Sequence, residues 1–404
     1  RSTHKWAFKA GMRAGAYSWR SSAKAAARLK TASSEIRAVA RSAPVVAGEG
    51  VIALAERIWP AFEHIDTSSG ALGNAVGKTL DELLPVLIDA PADEKTREKW
   101  LERLREAIEA DGVDYLAPIS ACFGKIAAYP ALMKRHADRE LKPLRSAWSE
   151  RDRYVFFPAA NLTLSCLLEA GRYEELLELL SLKKSLLWFD AQYGAEALLR
   201  QGREAEALDY AEGLLYDRYR VWGRHEIARF CEGILLRQGR TEDAYQRFGL
   251  PNAAGNTYVA MWRDLVKHYP DRDRRAILED LIATHGAPGK WFATAKTAGF
   301  LDVALACAAD IDAAPATLIR AARDFQSKEP AFAAQVALQA LRHLVHGRGY
   351  EPSIVDVDDA FEYLMAAAAQ CSAHSWAYEQ ASHLVTNTPP SGPMAERLRH
   401  NLTR

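Results

Sequence analysis

Three stretches of the chain repeat one pattern without gaps: Leu167-Leu168-Glu169-Ala170-Gly171-Arg172, Leu198-Leu199-Arg200-Gln201-Gly202-Arg203 and Leu235-Leu236-Arg237-Gln238-Gly239-Arg240. The glycines fall 31 and 37 residues apart, and a weaker copy centred on Gly299 follows 60 residues later. A glycine at such a place ends a helix in the left-handed conformation that other residues resist. Five positions on stand Leu176, Ala207 and Ala244, small or apolar residues that can pack the next helix back on the first. A period of 31–37 residues is one helical hairpin. Such hairpins stack because none buries its apolar face alone.

The rest of the chain agrees with that reading. Apolar residues recur at helical spacing in Leu101, Leu104, Ala107 and Ile108, and again in Val336, Leu338, Leu341 and Leu344. Period-2 alternation is confined to Ser353–Val357. Breakers such as Pro60, Asp111-Gly112, Pro130, Pro270, Pro330 and Gly347-Arg348-Gly349 cut the chain into lengths suited to about twenty helices. Asp66-Thr67-Ser68-Ser69, Asp93 and Thr241-Glu242-Asp243 have the chemistry of helix starts. The expected fold is all-α, a right-handed α-solenoid of stacked helical hairpins. Residues 1–150 read as a less regular helical region with a basic arm, and 151–404 as the repeat array.

The Gly-centred turn resembles the middle of a tetratricopeptide repeat over about residues 160–250. The aromatic and small residues of that repeat's first helix and its closing Pro are out of register here, so its peptide-clasping role is not carried over. More widely, Tyr17-Ser18-Trp19-Arg20, Phe62–Gly70 and His346-Gly347-Arg348-Gly349-Tyr350 resemble segments of an uncharacterised bacterial family of α-helical proteins, a domain of unknown function. That resemblance implies a helical fold and no activity.

Charge and cysteine content narrow the function classes. Lys+Arg and Asp+Glu both number 52 in 404 residues, which argues against a surface that coats nucleic acid throughout. Five widely spaced cysteines argue for reduced thiols and a cytoplasmic setting. No apolar run approaches a membrane span, and no signal peptide shows. Residue 1 is Arg and the first Met is Met12, as expected of a processed product or a fragment.

Reactive constellations are weak. His64 with Asp66–Gly70 lacks the glycine spacing and Lys of a P-loop, and capping explains its residues as well. His343 with His346, and Cys371 with His374 and His383, have ligand-like spacing without a full zinc set, so a helix-surface His and a core Cys are the sober readings. No catalytic residue, metal or cofactor is assigned.

Two stretches invite a binding reading. Arg218, Tyr219, Arg220, Trp222 and Arg224 combine the residue types enriched at protein interfaces. Aromatic core with outward-snorkelling arginines is the equal alternative for that stretch. For Trp188 and Phe189 core packing is favoured. Residues 1–50 carry a net charge of +8 with Trp6, Phe8, Tyr17 and Trp19 interleaved. Lys5, Lys9, Arg13, Arg20, Lys24, Arg28 and Lys30 could therefore track a phosphate backbone. They could equally dock on the acidic remainder of the chain or form a solvated face.

The expected function is a non-catalytic helical-repeat scaffold or adaptor that binds another macromolecule, above all a protein, and no membrane. The first alternative is nucleic-acid binding through residues 1–50. The second is an enzyme with dispersed residues, for which a deep pocket lined by converging acids or histidines would speak. The repeat register has its own test. Gly202→Val forces a β-branched side chain into a left-handed backbone, a cost of roughly 1–2 kcal/mol. Arg203→Ala should cost less. Thermal melts that ranked the arginine change as the more damaging would overturn the register.

Overall fold

The computed structural model describes residues 4–149, 157, 159–183, 185–215, 223–386 and 392–403. Its contacts divide the chain into two compact units, 1–223 and 224–404. The boundary expected after residue 150 falls inside the first. Among the described residues there are twenty-two α-helices and no strand.

The first unit opens with a short 3-10 turn (Ala7–Gly11), then α1 (Ser22–Ala40), α2 (Pro44–Phe62), α3 (Ala71–Ile88), α4 (Glu94–Ala110), α5 (Ala117–Ala121), α6 (Phe123–Ala127), α7 (Pro130–Ser149), α8 (Ala160–Glu169), α9 (Tyr173–Ser181), α10 (Trp188–Arg200) and α11 (Glu204–Leu215). The second holds α12 (Arg224–Arg237), α13 (Thr241–Ala244), a π-helical turn (Tyr245–Gly249), α14 (Tyr258–His268), α15 (Arg274–His285), α16 (Phe292–Ala298), α17 (Leu301–Ala308), α18 (Pro315–Phe325), α19 (Pro330–Val345), α20 (Ile354–Gln370), α21 (His374–Thr386) and α22 (Pro393–Leu402). From α7 to α11, helices touch the next in sequence, and α8 also touches α10. From α18 to α22 the same neighbour and next-neighbour contacts recur. That is the packing of an α-solenoid of stacked hairpins within each unit.

The glycine turns have the conformation the repeat requires. Gly171, Gly202 and Gly239 have φ of 69°, 75° and 71°. At each, the glycine N–H and the following Arg N–H fold back onto the ending helix: Gly202 N donates to Leu199 O and Arg203 N to Leu198 O, both at 2.9 Å. This double closure satisfies carbonyls that a helix end leaves unpaired. The arginine after each glycine pairs with the acid three residues on. Arg172 reaches Glu175, Arg203 Glu206 and Arg240 Asp243, at 2.6–2.8 Å. Arg172 and Arg203 also reach back to Asp138 and Glu174 of the preceding helices. Arg240 is exposed, whereas Arg203 is half-buried.

The same closure recurs where the repeat pattern was not seen. Arg348 N donates to His343 O and Gly347 N to Leu344 O, and Ala373 N donates to Ala368 O with Ser372 at φ 56°. His343 stands where the other copies have Leu, and Ser372 where they have Gly.

Other local expectations are corrected. Ser353–Val357 is the start of α20, where Ser353 and Asp356 form a reciprocal capping box. Asp93 caps α4 through Thr96 N. At α3 the cap position is Gly70 at φ 68°, and Ser69 Oγ accepts from Ala71 N at 3.4 Å, so one of the expected side chains does reach the first N–H of the helix. Asp66 instead accepts from Ser68 N and shapes the preceding turn. Pro60 lies in the last turn of α2 and does not break it.

The basic arm packs on the first unit through its aromatics. Trp6, Phe8, Met12 and Tyr17 are buried. Trp6 lies so close to α2 that a Cβ at Gly50 would sit 2.5 Å from its ring. Glu35 accepts from Ala7 N and Phe8 N, which fixes the turn against α1.

Buried polar groups tie helix ends together in this unit. The Arg97 guanidinium donates to Ile126 O at 2.6 Å and Ile88 O at 2.8 Å, and also to Ala90 O. One cation thus serves the ends of α3 and α6. Nearby, Arg105 donates to His136 Nδ1 at 3.2 Å, so the neutral ring keeps its proton on Nε2, 4.0 Å from Glu102. Burial first, and then the Arg105 charge, push His136 down to about 4. An unfolded His titrates near 6.5, so between about pH 6.5 and 4 the unfolded chain takes up a proton that the folded chain refuses. Stability contributed by this site is complete above that window and falls as pH falls through it, by at most roughly 1.4 kcal/mol per pH unit. Denaturant melts of wild type and His136→Gln should converge as the pH is lowered from 7 to 4; parallel pH profiles would refute this assignment.

Candidate functional site

Of the interface residues expected from sequence, Arg218, Tyr219, Arg220 and Trp222 lie outside the described residues. Arg224 opens α12 and is exposed. In the basic arm, Lys5, Arg13, Arg20, Lys24, Arg28 and Lys30 are exposed and Lys9 is half-buried. Three of the four interleaved aromatics are buried, so only Trp19, at 64% exposure, is free to stack on a base. His343 is fully buried and reaches Ala308 O at 2.8 Å, which corrects its reading as a surface residue. Cys371 is half-buried, not core. Among the described residues no group of three or more His, Cys, Asp or Glu could hold a metal ion. No helix among them is long and apolar enough to cross a membrane.

A cavity of about 300 Å³ lies within the first unit. It forms where the C-terminal ends of α4 and α7 meet the N-terminal ends of α8 and α10. Trp148, Phe157 and Phe189 give it aromatic walls. Phe189 was expected in the core. It is 45% exposed, because it lies in the first turn of α10, where that helix lines the cavity.

Among the described residues, carboxylates dominate the polar lining: Glu109, Asp111, Asp114 and Asp190, with the ammonium of Lys183 beside them. Asp190 is 4% exposed and forms an ion pair with Lys183, whose Nζ also lies 4.9 Å from the Trp148 ring centroid. Asp111 accepts from Leu116 N at 2.8 Å and Val113 N at 3.2 Å, and burial still raises its carboxyl above the usual range. Asp114 has φ 59°, a strained backbone for a residue with a side chain. Asn161 also lines the cavity. It is 7% exposed, and its Oδ1 has no hydrogen-bond partner among the described residues.

The lining comes from helix ends and loops spread over residues 108–190, which is why sequence inspection passed over it. Asp111-Gly112 registered only as a breaker. The one local signal was Leu187-Trp188-Phe189-Asp190, where an acid and aromatics open a helix.

Comparison with known proteins adds little. No family model and no curated protein matches the chain. Among solved structures it is similar to a circular tandem repeat protein with novel repeat topology and enhanced subunit contact surfaces. The identity is 15%, over 93% of this chain and 87% of that one, with a TM-score of 0.17.

The buried ion pair generates a stability prediction. Lys183→Met leaves the Asp190 carboxylate desolvated and unpaired, a loss of about 3 kcal/mol. Adding Asp190→Asn should recover most of it. Denaturant melts of the single and double variants measure both, and a single variant as stable as wild type would contradict the pairing.

Proposed function

We propose that the protein is a non-catalytic helical-repeat scaffold that binds another protein. The observation that carries this reading is a set of exposed apolar side chains on two loops and one helix start of the second unit. Ile311 (66% exposed) precedes α18, while Tyr350 (93%), Ile354 (48%) and Val355 (59%) surround the start of α20. The loops meet where a Cβ at Gly349 would lie 3.2 Å from Pro315. A single exposed apolar residue is ordinary; four on two adjoining loops and the helix start beside them support an interaction surface.

The acid-lined cavity does not of itself favour catalysis. Asp111 is held by two backbone amides and Asp190 by Lys183, so two of its four carboxylates already have structural work. The nucleic-acid reading keeps the exposed cations of the arm and Trp19.

Capture of partners from host lysate by wild type and by Ile311→Asp/Tyr350→Asp tests the proposal, with circular dichroism to establish that the variant is folded. A protein retained by wild type and lost from the variant is the expected result. The same proteins on both would sink it. Capture abolished by nuclease treatment would favour the nucleic-acid reading.

A further inference from the structure

We propose that the basic face of the first unit binds a nucleic-acid duplex by its phosphates, without reading its bases. The inference does not rest on the protein-binding reading, which concerns the second unit, and either can fail alone.

The first observation is uncompensated charge. Residues 1–34 hold no Asp or Glu. Among the described residues, none of Lys5, Lys9, Arg13, Arg20, Lys24 or Arg28 forms an ion pair. Surface arginines elsewhere are answered by acids: Arg37 by Glu82, Arg139 by Glu102, Arg145 by Glu178 and Arg275 by Asp302. Two acids that lie against the arm are engaged with backbone. Glu35 accepts from Ala7 N and Phe8 N, and Asp66 accepts from Ser68 N. Like charges held on one face repel each other, and a polyanion relieves that repulsion.

The second observation is that these cations are fixed in place. Gly15 N donates to Pro60 O at 3.1 Å and Asp66 N to Trp19 O at 3.0 Å, which ties the arm to the end of α2. Arg13 Nε donates to Ala10 O at 3.1 Å. Arg28 lies over the same turn, since a Cβ at Gly11 would be 3.4 Å from its Cδ. Two guanidinium groups from different elements thus converge, with Lys24 one helical turn from Arg28 on α1. A hollow of about 270 Å³ opens there between Phe8, Gly11, Arg28 and Thr31, and Arg28 is the one charged residue of its described lining. Guanidinium forks match phosphate oxygens, and fixed ones lose little freedom on binding.

The third observation selects the duplex. Trp6, Phe8 and Tyr17 are buried, which leaves Trp19 as the one exposed ring of the arm. Binding a single strand without sequence preference relies on several rings that stack successive bases. A duplex keeps its bases stacked inside and presents its phosphates outward, so fixed cations suffice for it.

Fluorescence anisotropy of the intact chain with a labelled DNA duplex of about 20 base pairs, at about 50–200 mM salt, tests the proposal. Binding should be saturable, and log affinity should fall against log salt with a slope of about −3 or steeper. Two duplexes of unrelated sequence should bind within about threefold of each other, and unlabelled duplex should compete better than oligo-dT of equal length. Arg13→Gln/Arg28→Gln should weaken binding at least about tenfold and make the slope shallower by about 2. Circular dichroism checks the fold. Arg20→Gln/Lys24→Gln, on exposed side chains, should have the same effect and serves if the first pair disturbs folding. Arg240→Gln/Arg323→Gln removes equal charge from the second unit and should leave binding unchanged. The proposal is overturned by the absence of saturable binding at the lowest salt, by tighter binding of oligo-dT, or by folded arm variants that bind as wild type does. Equal loss in the second-unit variant would overturn it too. Retention on phosphatidylglycerol vesicles with no binding of the duplex would replace it with a lipid surface.

Discussion

The left-handed closure at the end of a helix is the constraint on which the hairpins depend. At Gly171, Gly202 and Gly239 two backbone N–H groups fold back onto the helix just completed. The chain then reverses within a few residues and the next helix packs alongside. No neighbouring atom lies within contact distance of a Cβ placed at these glycines, so backbone conformation and not crowding selects the residue. The closure tolerates exceptions where other contacts hold the turn. Ser372 adopts it with a side chain, between α20 and α21, which pack against each other and against α22.

The arginine following the glycine has a separate role. Its i,i+3 pair with an acid lies in the first turn of the next helix, and in two copies it also spans back past the helix just ended, to α7 from Arg172 and to α9 from Arg203. These pairs lie at or near the surface and each contributes little. The buried cations are different in kind. Arg97 replaces water for carbonyls at the ends of two helices, and burial lowers its pKa despite those bonds. Arg105 lies beside a neutral His136, where desolvation outweighs the attraction of Glu102. The irregular half of the first unit is therefore tied by buried polar contacts, while the repeating half combines backbone geometry and apolar stacking with the buried Lys183–Asp190 pair.

The two candidate surfaces differ in what they could recognise. The cavity is partly open, with acids and aromatic rings among its described lining residues. The loops carrying Ile311 and Tyr350 are open and apolar, features that suit a protein face. The basic arm is neither a free tail nor a stacking platform, since Trp6, Phe8 and Tyr17 are consumed by packing against α1 and α2. Only its outward cations and Trp19 remain available.

Sequence alone determined the helical class and the hairpin turns, because both are local. The apolar period and a glycine at the fifth position of a fixed pattern act within about one turn of backbone. Local signals failed where a substitute residue entered the pattern, as at His343 and Ser372. They failed also where a nearer partner claimed a residue: Asp66 accepts from Ser68 N, two residues on, and does not itself cap α3. Phe189 and Asp190 show the division most clearly. In the sequence they are an aromatic and an acid at a helix start. Their placement in one cavity with Asp111, Asn161 and Lys183 was decided only by tertiary packing, because it depends on which helix ends meet.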